Sequence, residues 1–231
     1  MTGAPVGYRA CYPIKVRMRP MGEVVGMTEE LRGALTPDQL VRARELDPVS
    51  GPEVEAGLRE KDEIIRDPRH IAFVRSGGQT GADRAGLDAA RDAGIPIRGW
   101  APRGGRAEDF GEAPGVLALY PELVETPSDW FMQRTAWNVR DAHATLIVSP
   151  GGIEPASGTE ATLEFANDYG RPVLVAEGSD EADRVWLWLC ALGQGLTLNV
   201  AGPRASKSPS VYGVTYDLVS DLLRRDAAAC E

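Results

Sequence analysis

Apolar and polar positions along the 231 residues follow two regimes, and the change comes at His70. From there, short apolar runs alternate with amphipathic stretches. HIAFVR at 70–75 leads through the loop SGGQTGA into DRAGLDAARDAG, where Ala85, Leu87, Ala89 and Ala90 lie among charges and Gly94 ends a helix. IPIRGW at 95–100 predicts a second strand, followed by a Gly/Arg/Pro loop and a less regular stretch to about 127. Ser128 and Asp129 are suitable N-caps for a helix running through Asn138. The theme then repeats three times. ATLIVS at 144–149 precedes a helix from Thr159 to Tyr169. RPVLVAE at 171–177 precedes a helix carrying Trp186, Trp188 and Leu189, with Ser179 or Asp180 as its cap. LTLNVAG at 196–202 precedes a helix from Tyr212 to Ala228. Strands alternating with helices of this length predict an α/β fold: a Rossmann-like open sheet of about five mostly parallel strands with helices on both faces. Ligands of such sheets sit beyond the carboxyl ends of the strands. The loops after Arg75, Trp100, Ser149 and Val200 are therefore expected to share one crevice.

Residues 1–69 read as a small N-terminal extension to the ligand-binding domain at 70–231. YPIKVRMRPMGEVVG suggests a hairpin, and two polar helical segments follow, LTPDQLVRARELD and GPEVEAGLREKDEIIRD, the first with Thr36 as N-cap and Pro37 at the first helical position. This extension is expected to serve assembly or to cover the pocket. No internal repeat or low-complexity tract is present.

Composition narrows the class. A hydrophobic fraction of 43% and a charged fraction of 26% are those of a globular chain. No apolar run approaches the roughly 18 residues of a membrane helix, and the N-terminus lacks a basic stretch followed by an apolar one, so a cytoplasmic protein is expected, with no membrane partner. A net charge of −9 argues against a broad grip on nucleic acid. Cys11, Cys190 and Cys230 are odd in number and widely spaced, indicating neither a disulfide framework nor a zinc site, and His70 and His143 are too few for a His-based metal centre.

Basic residues nonetheless recur at loops and strand ends of the second region, a pattern that suits one small anion. SGGQTGADR at 76–84 follows a strand and opens a helix, so Gly77, Gly78 and Gly81 let the backbone approach a ligand while Gln79 and Thr80 add neutral hydrogen bonds, or the glycines simply meet a tight turn. The loop matches neither GxxxxGK[ST] nor GxGxxG, which argues against an ordinary nucleoside triphosphatase or hydride-transfer enzyme. Arg103 and Arg106 lie in GWAPRGGRAED with Glu108 or Asp109 available to orient them, unless they are solvated surface charge. Arg134 and Asn138 share a helical face that can turn towards the crevice. Ser157, Gly158 and Thr159 open a helix, with Ser157 either a ligand contact or only an N-cap. Asn199, Gly202, Arg204, Ser206 and Lys207 end the last strand together. Convergence of several such turns at one sheet edge points to a phosphorylated ligand. No GxSxG or HExxH marks a hydrolase of the familiar kinds.

With these motifs in order, the chain resembles the molybdenum-cofactor carrier family. The matching pieces are SGGQTGADRAGLDAA, GWAPRGGRAED, YPELVETPSDWFMQRTAWNVRDAHATLIVS, SGTEATLEFA and LNVAGPRASKSPSVY, spanning 71 to about 225 and none of the first 69 residues. The resemblance implies a homo-oligomer that holds and protects the molybdenum cofactor, a pterin with a phosphate tail, before its transfer to molybdoenzymes. It places that role on Gly77, Gly78, Gln79, Thr80, Arg84, Arg106, Gly158, Thr159, Gly202, Arg204 and Ser206. Another phosphorylated pterin or a nucleotide is the alternative cargo. The same superfamily contains nucleotide sensors and phosphoribohydrolases with PGGxGTxxE, but here Thr162 stands where their glutamate is expected, with Glu164 displaced by two. Two departures from the short family members are the N-terminal extension and the inserted IEPA between SPGG and SGT.

Overall fold

The computed structural model describes residues 69–230; the hairpin and helices expected within residues 1–68 lie outside them. Six strands and five α-helices alternate: β1 (Ile71–Arg75), α1 (Ala82–Asp92), β2 (Ile97–Ala101), β3 (Leu123–Glu125), α2 (Phe131–Arg140), β4 (Ala144–Val148), α3 (Gly158–Asp168), β5 (Val173–Ala176), α4 (Ala182–Leu192), β6 (Leu196–Ala201) and α5 (Val211–Ala229). The strands form one sheet in the order β3-β2-β1-β6-β4-β5, with every pairing parallel. All carboxyl ends therefore open on one edge.

Burial explains the order. Every residue of β4 and β6 is buried, as their near-continuous apolar composition requires of central parallel strands. Edge strand β3 buries only Leu123, and without alternation or an apolar run it has no readable strand signal, which is why six strands stand where the pattern suggests about five. Leu146 of β4 and Leu196, Leu198 and Val200 of β6 join Leu87 of α1, Val185 and Leu189 of α4, and Leu218 and Leu222 of α5 in the larger apolar cluster. Trp100, Trp137, Phe165 and Tyr169 form a second cluster with α2 and α3. The sheet is thus covered on both faces. Close approach of α1 is possible because Gly86 has no side chain; a Cβ there would lie 2.7 Å from Cβ of Val200. At the opposite edge, buried Asp226 of α5 accepts from the amides of His70 and Ile71 at 2.8 and 2.7 Å and fixes the start of β1.

Two helix starts differ in detail from expectation. The cap position of α2 is Trp130 rather than Ser128 or Asp129, but Ser128 still works two residues upstream: its Oγ accepts from Trp130 N–H at 3.1 Å, and its own N–H donates to Gln133 Oε1 at 2.8 Å. A short 3₁₀ turn at Ser179–Glu181 precedes α4. No helix among the described residues is long and apolar enough to cross a membrane.

Candidate functional site

The crevice is built from the ends of β1, β2 and β6. Ser76 Oγ donates to the Val200 carbonyl at 2.6 Å, locking the exit of β1 to β6. The following loop needs its glycines for room as well as for backbone angle. A Cβ at Gly77 would fall 2.3 Å from Arg134 Nη1, and Gly81, at φ +85°, would place one 2.5 Å from the Pro203 carbonyl oxygen. Because Gly77 is bare, Arg134 of α2 crosses above it to reach Asp83 at 3.0 Å. Burial pushes the Asp83 carboxyl above its ordinary range, against the lowering influence of the Arg134 charge and of the Gln79 and Gly77 amides.

Gln79 Oε1 accepts from Thr80 N–H at 3.0 Å and from Glu108 N–H at 2.7 Å, joining the β1 and β2 loops. Ala107 and Phe110 exchange two backbone hydrogen bonds at 2.9 and 3.1 Å, leaving Glu108 and Asp109 at the tip of a two-residue turn. The two carboxylates part there. Asp109 takes Arg84 with both oxygens at 2.6 and 2.7 Å, while Arg84 Nε holds the Gly78 carbonyl at 3.0 Å and its guanidinium lies 5.4 Å from the Phe110 ring centre. Glu108 instead accepts from Ser206 Oγ and, at 2.5 Å, from Thr80 Oγ1. Thr80 Oγ1 in turn accepts from Ala205 N–H at 3.2 Å. Donation from Ser206 and Thr80 holds the Glu108 carboxyl below the usual carboxylate range, with the Arg204 charge adding to it.

The sequence-predicted residues thus fall into groups. Gln79, Thr80, Arg84, Arg204 and Ser206 converge around the Glu108–Asp109 turn, with Arg134 and the loop glycines beside them. Arg106 lies on the same loop but pairs with Asp129 at 3.4 Å, while exposed Arg103 and Arg204 have no ion pair among the described residues. Lys207 meets Glu154 at 3.3 Å and so links the β6 loop to the loop after β4. There Gly158 opens α3 with nothing within 4 Å of where its Cβ would stand. Ser157 caps α3, accepting from Glu160 N–H at 3.1 Å, and Thr159 is buried behind it. Gly202 lets β6 pass β4; its Cβ would stand 2.2 Å from the Val148 carbonyl oxygen. Asn138 and Asn199 lie within the sheet and its packing. Asn138 clamps the Trp100 backbone, accepting from its N–H at 2.8 Å and donating to its carbonyl at 2.9 Å, and Asn199 donates to Thr145 Oγ1 at 3.3 Å.

The sequence leaves open whether Glu108 or Asp109 orients an arginine. Asp109 orients Arg84 rather than Arg103 or Arg106, Asp83 serves Arg134, and Glu108 binds hydroxyls instead of an arginine. Two successive acidic residues after a Gly-Gly-Arg loop are the readable signal, but only the tertiary turn separates their roles. Among the described residues no group of three or more His, Cys, Asp or Glu is placed to hold a metal ion.

Comparison with known proteins identifies the family and the fold. The family described as circularly permutated YpsA SLOG matches residues 74–223. The crystal structure of a candidate molybdenum carrier protein from Syntrophus aciditrophicus SB is 39% identical, with a TM-score of 0.61, and the match covers 67% of this chain and 96% of that one. No curated protein matches the chain.

Proposed function

Since the chain belongs to the circularly permutated YpsA SLOG family, we propose that its strand-end crevice holds a phosphorylated small ligand, and that this ligand is the molybdenum cofactor, carried and protected without being converted. One observation carries the reading: the hydroxyls of Thr80 and Ser206 and the guanidinium of Arg204, which has no ion pair among the described residues, converge where three strand-end loops meet. Hydroxyls and a guanidinium are the donors a phosphate tail takes. The identity of 39% to a protein named as a candidate molybdenum carrier supports the pterin-bearing cargo over a nucleotide.

Holding is favoured over hydrolysis by the state of the carboxylates nearby. Glu160 accepts from the Ala156 amide at 2.6 Å, and Thr162, where phosphoribohydrolase relatives are expected to carry glutamate, donates to the Gly158 carbonyl at 2.8 Å. On this reading the protein works in the cytoplasm as a homo-oligomer, residues 1–69 assist assembly or cover the pocket, and a molybdoenzyme receives the cargo.

The test is native mass spectrometry with metal analysis on protein purified from cells that make the cofactor. Stoichiometric molybdenum with a pterin mass supports the carrier reading. A nucleotide mass without molybdenum overturns it in favour of sensing or phosphoribohydrolase chemistry.

A further inference from the structure

We propose that Glu108 is a specificity-determining residue that takes the ligand's anion position until a ligand competes for it, so that only a ligand with contacts beyond its phosphate displaces it. This rests on the phosphorylated-ligand reading above and adds how the site rejects free phosphate.

A serine or threonine hydroxyl has one hydrogen to donate. Those of Thr80 and Ser206 both go to the Glu108 carboxylate, one to each oxygen. The Thr80 oxygen also accepts from the Ala205 amide, so its orientation towards Glu108 is fixed from behind. A phosphate arriving here meets oxygen lone pairs and a carboxylate until Glu108 withdraws. The two anions are therefore mutually exclusive at these hydroxyls.

Glu108 is placed to withdraw. It is solvent-exposed at the tip of the Ala107–Phe110 turn, whose backbone pair and the Asp109–Arg84 bridge stay intact when one side chain swings outward. Its carboxylate spans the loops of β1 and β6 as a bound anion would, and Arg204 lies close enough to favour its charge. Inorganic phosphate gains little by the exchange, because it replaces one anion with another. A ligand that also packs a ring against the crevice wall gains contacts that Glu108 cannot supply, and it prevails.

The test is calorimetric titration of inorganic phosphate into the full chain as wild type, Glu108→Gln and Glu108→Ala, with thermal unfolding to confirm folding. Both variants are expected to bind phosphate at least tenfold more tightly than wild type. Adding Ser206→Ala to Glu108→Gln should abolish most of that gain, whereas Glu112→Gln, which removes a nearby exposed charge outside the site, should give none. Equal or weaker binding in both Glu108 variants overturns the proposal and makes the residue a staple between loops. If wild type binds phosphate and the variants bind no tighter, Glu108 alone loses its role. Absence of phosphate binding in every protein overturns the anion crevice as well.

Discussion

Arg134 on α2 and Asp83 on α1 meet at 3.0 Å by passing over Gly77, so a residue without a side chain sits under the ion pair that joins the two helices. Both partners are largely buried, at 14% and 4% side-chain exposure, so neither charge can fall back on water.

Gly77→Ala should accordingly be costly. The added methyl meets Arg134 Nη1, and either the loop shifts or the guanidinium leaves Asp83 without its partner. A loss of about 3 kcal/mol is expected, as for breaking a buried pair, and urea denaturation measures it. A change under about 1 kcal/mol would show that the loop yields freely.

Arg134→Leu should make stability strongly dependent on pH. Burial already raises the folded-state pKa of Asp83 above its ordinary 3.8, so the fold is weakened as pH rises from that value through the raised one. Without Arg134 the raised value moves higher and the weakening grows. Urea midpoints should show the variant falling further behind wild type at pH 7 than at pH 4; a gap independent of pH would contradict this.

Arg204→Ala should weaken ligand binding about tenfold, the worth of one charge-assisted contact, while leaving the thermal midpoint unchanged because Arg204 is exposed and makes no ion pair among the described residues. Arg106→Ala should cost less, since Asp129 already draws that guanidinium away. Calorimetry with the purified cofactor distinguishes the two, and undiminished affinity in both would remove the anion crevice.

Ala156→Gly should stabilise the protein. Ala156 is the single non-glycine residue at positive φ among the described residues, at 55°, in the loop just before α3. An L side chain there costs roughly 1 to 2 kcal/mol, and after the entropy glycine loses on folding a net gain of about 0.5 kcal/mol is expected by chemical denaturation. A loss would mean that the methyl makes contacts outweighing the strain.

Asn138→Ala should cost about 2 to 4 kcal/mol by leaving the Trp100 N–H and carbonyl without their side-chain partner. Hydrogen exchange should quicken first at β2 and β3, the edge that this clamp holds. Uniform quickening across the sheet would argue that the clamp is not local.

The alternation of strands and helices was readable because β1, β4 and β6 bury almost every residue and their helices carry one apolar face. Gly77, Gly81 and Gly202 also announced themselves, since tight passage at a strand end leaves glycine little substitute. The pairing of charges was not readable. Asp109 lies 25 positions from Arg84, and Glu108 lies 98 from Ser206; only the parallel sheet, by gathering distant strand ends at one edge, makes them neighbours. Asn138 shows the converse: helical spacing places it on the face of Arg134, but its amide matches the backbone of a buried strand edge and is satisfied there.

The sheet order has a consequence for biosynthesis. β1 and β4 are each hydrogen-bonded to β6 and not to each other, so β6, the last strand among the described residues, is the keystone between two halves. While a nascent chain still has residues 196–230 inside the ribosome, β1–β3 and β4–β5 present two raw inner edges open to wrong pairing. The arrival of β6 closes both edges and delivers Arg204 and Ser206 in the same event. The strand-end site therefore does not exist until β6 is in place, and a ligand of the kind proposed is taken up only after that.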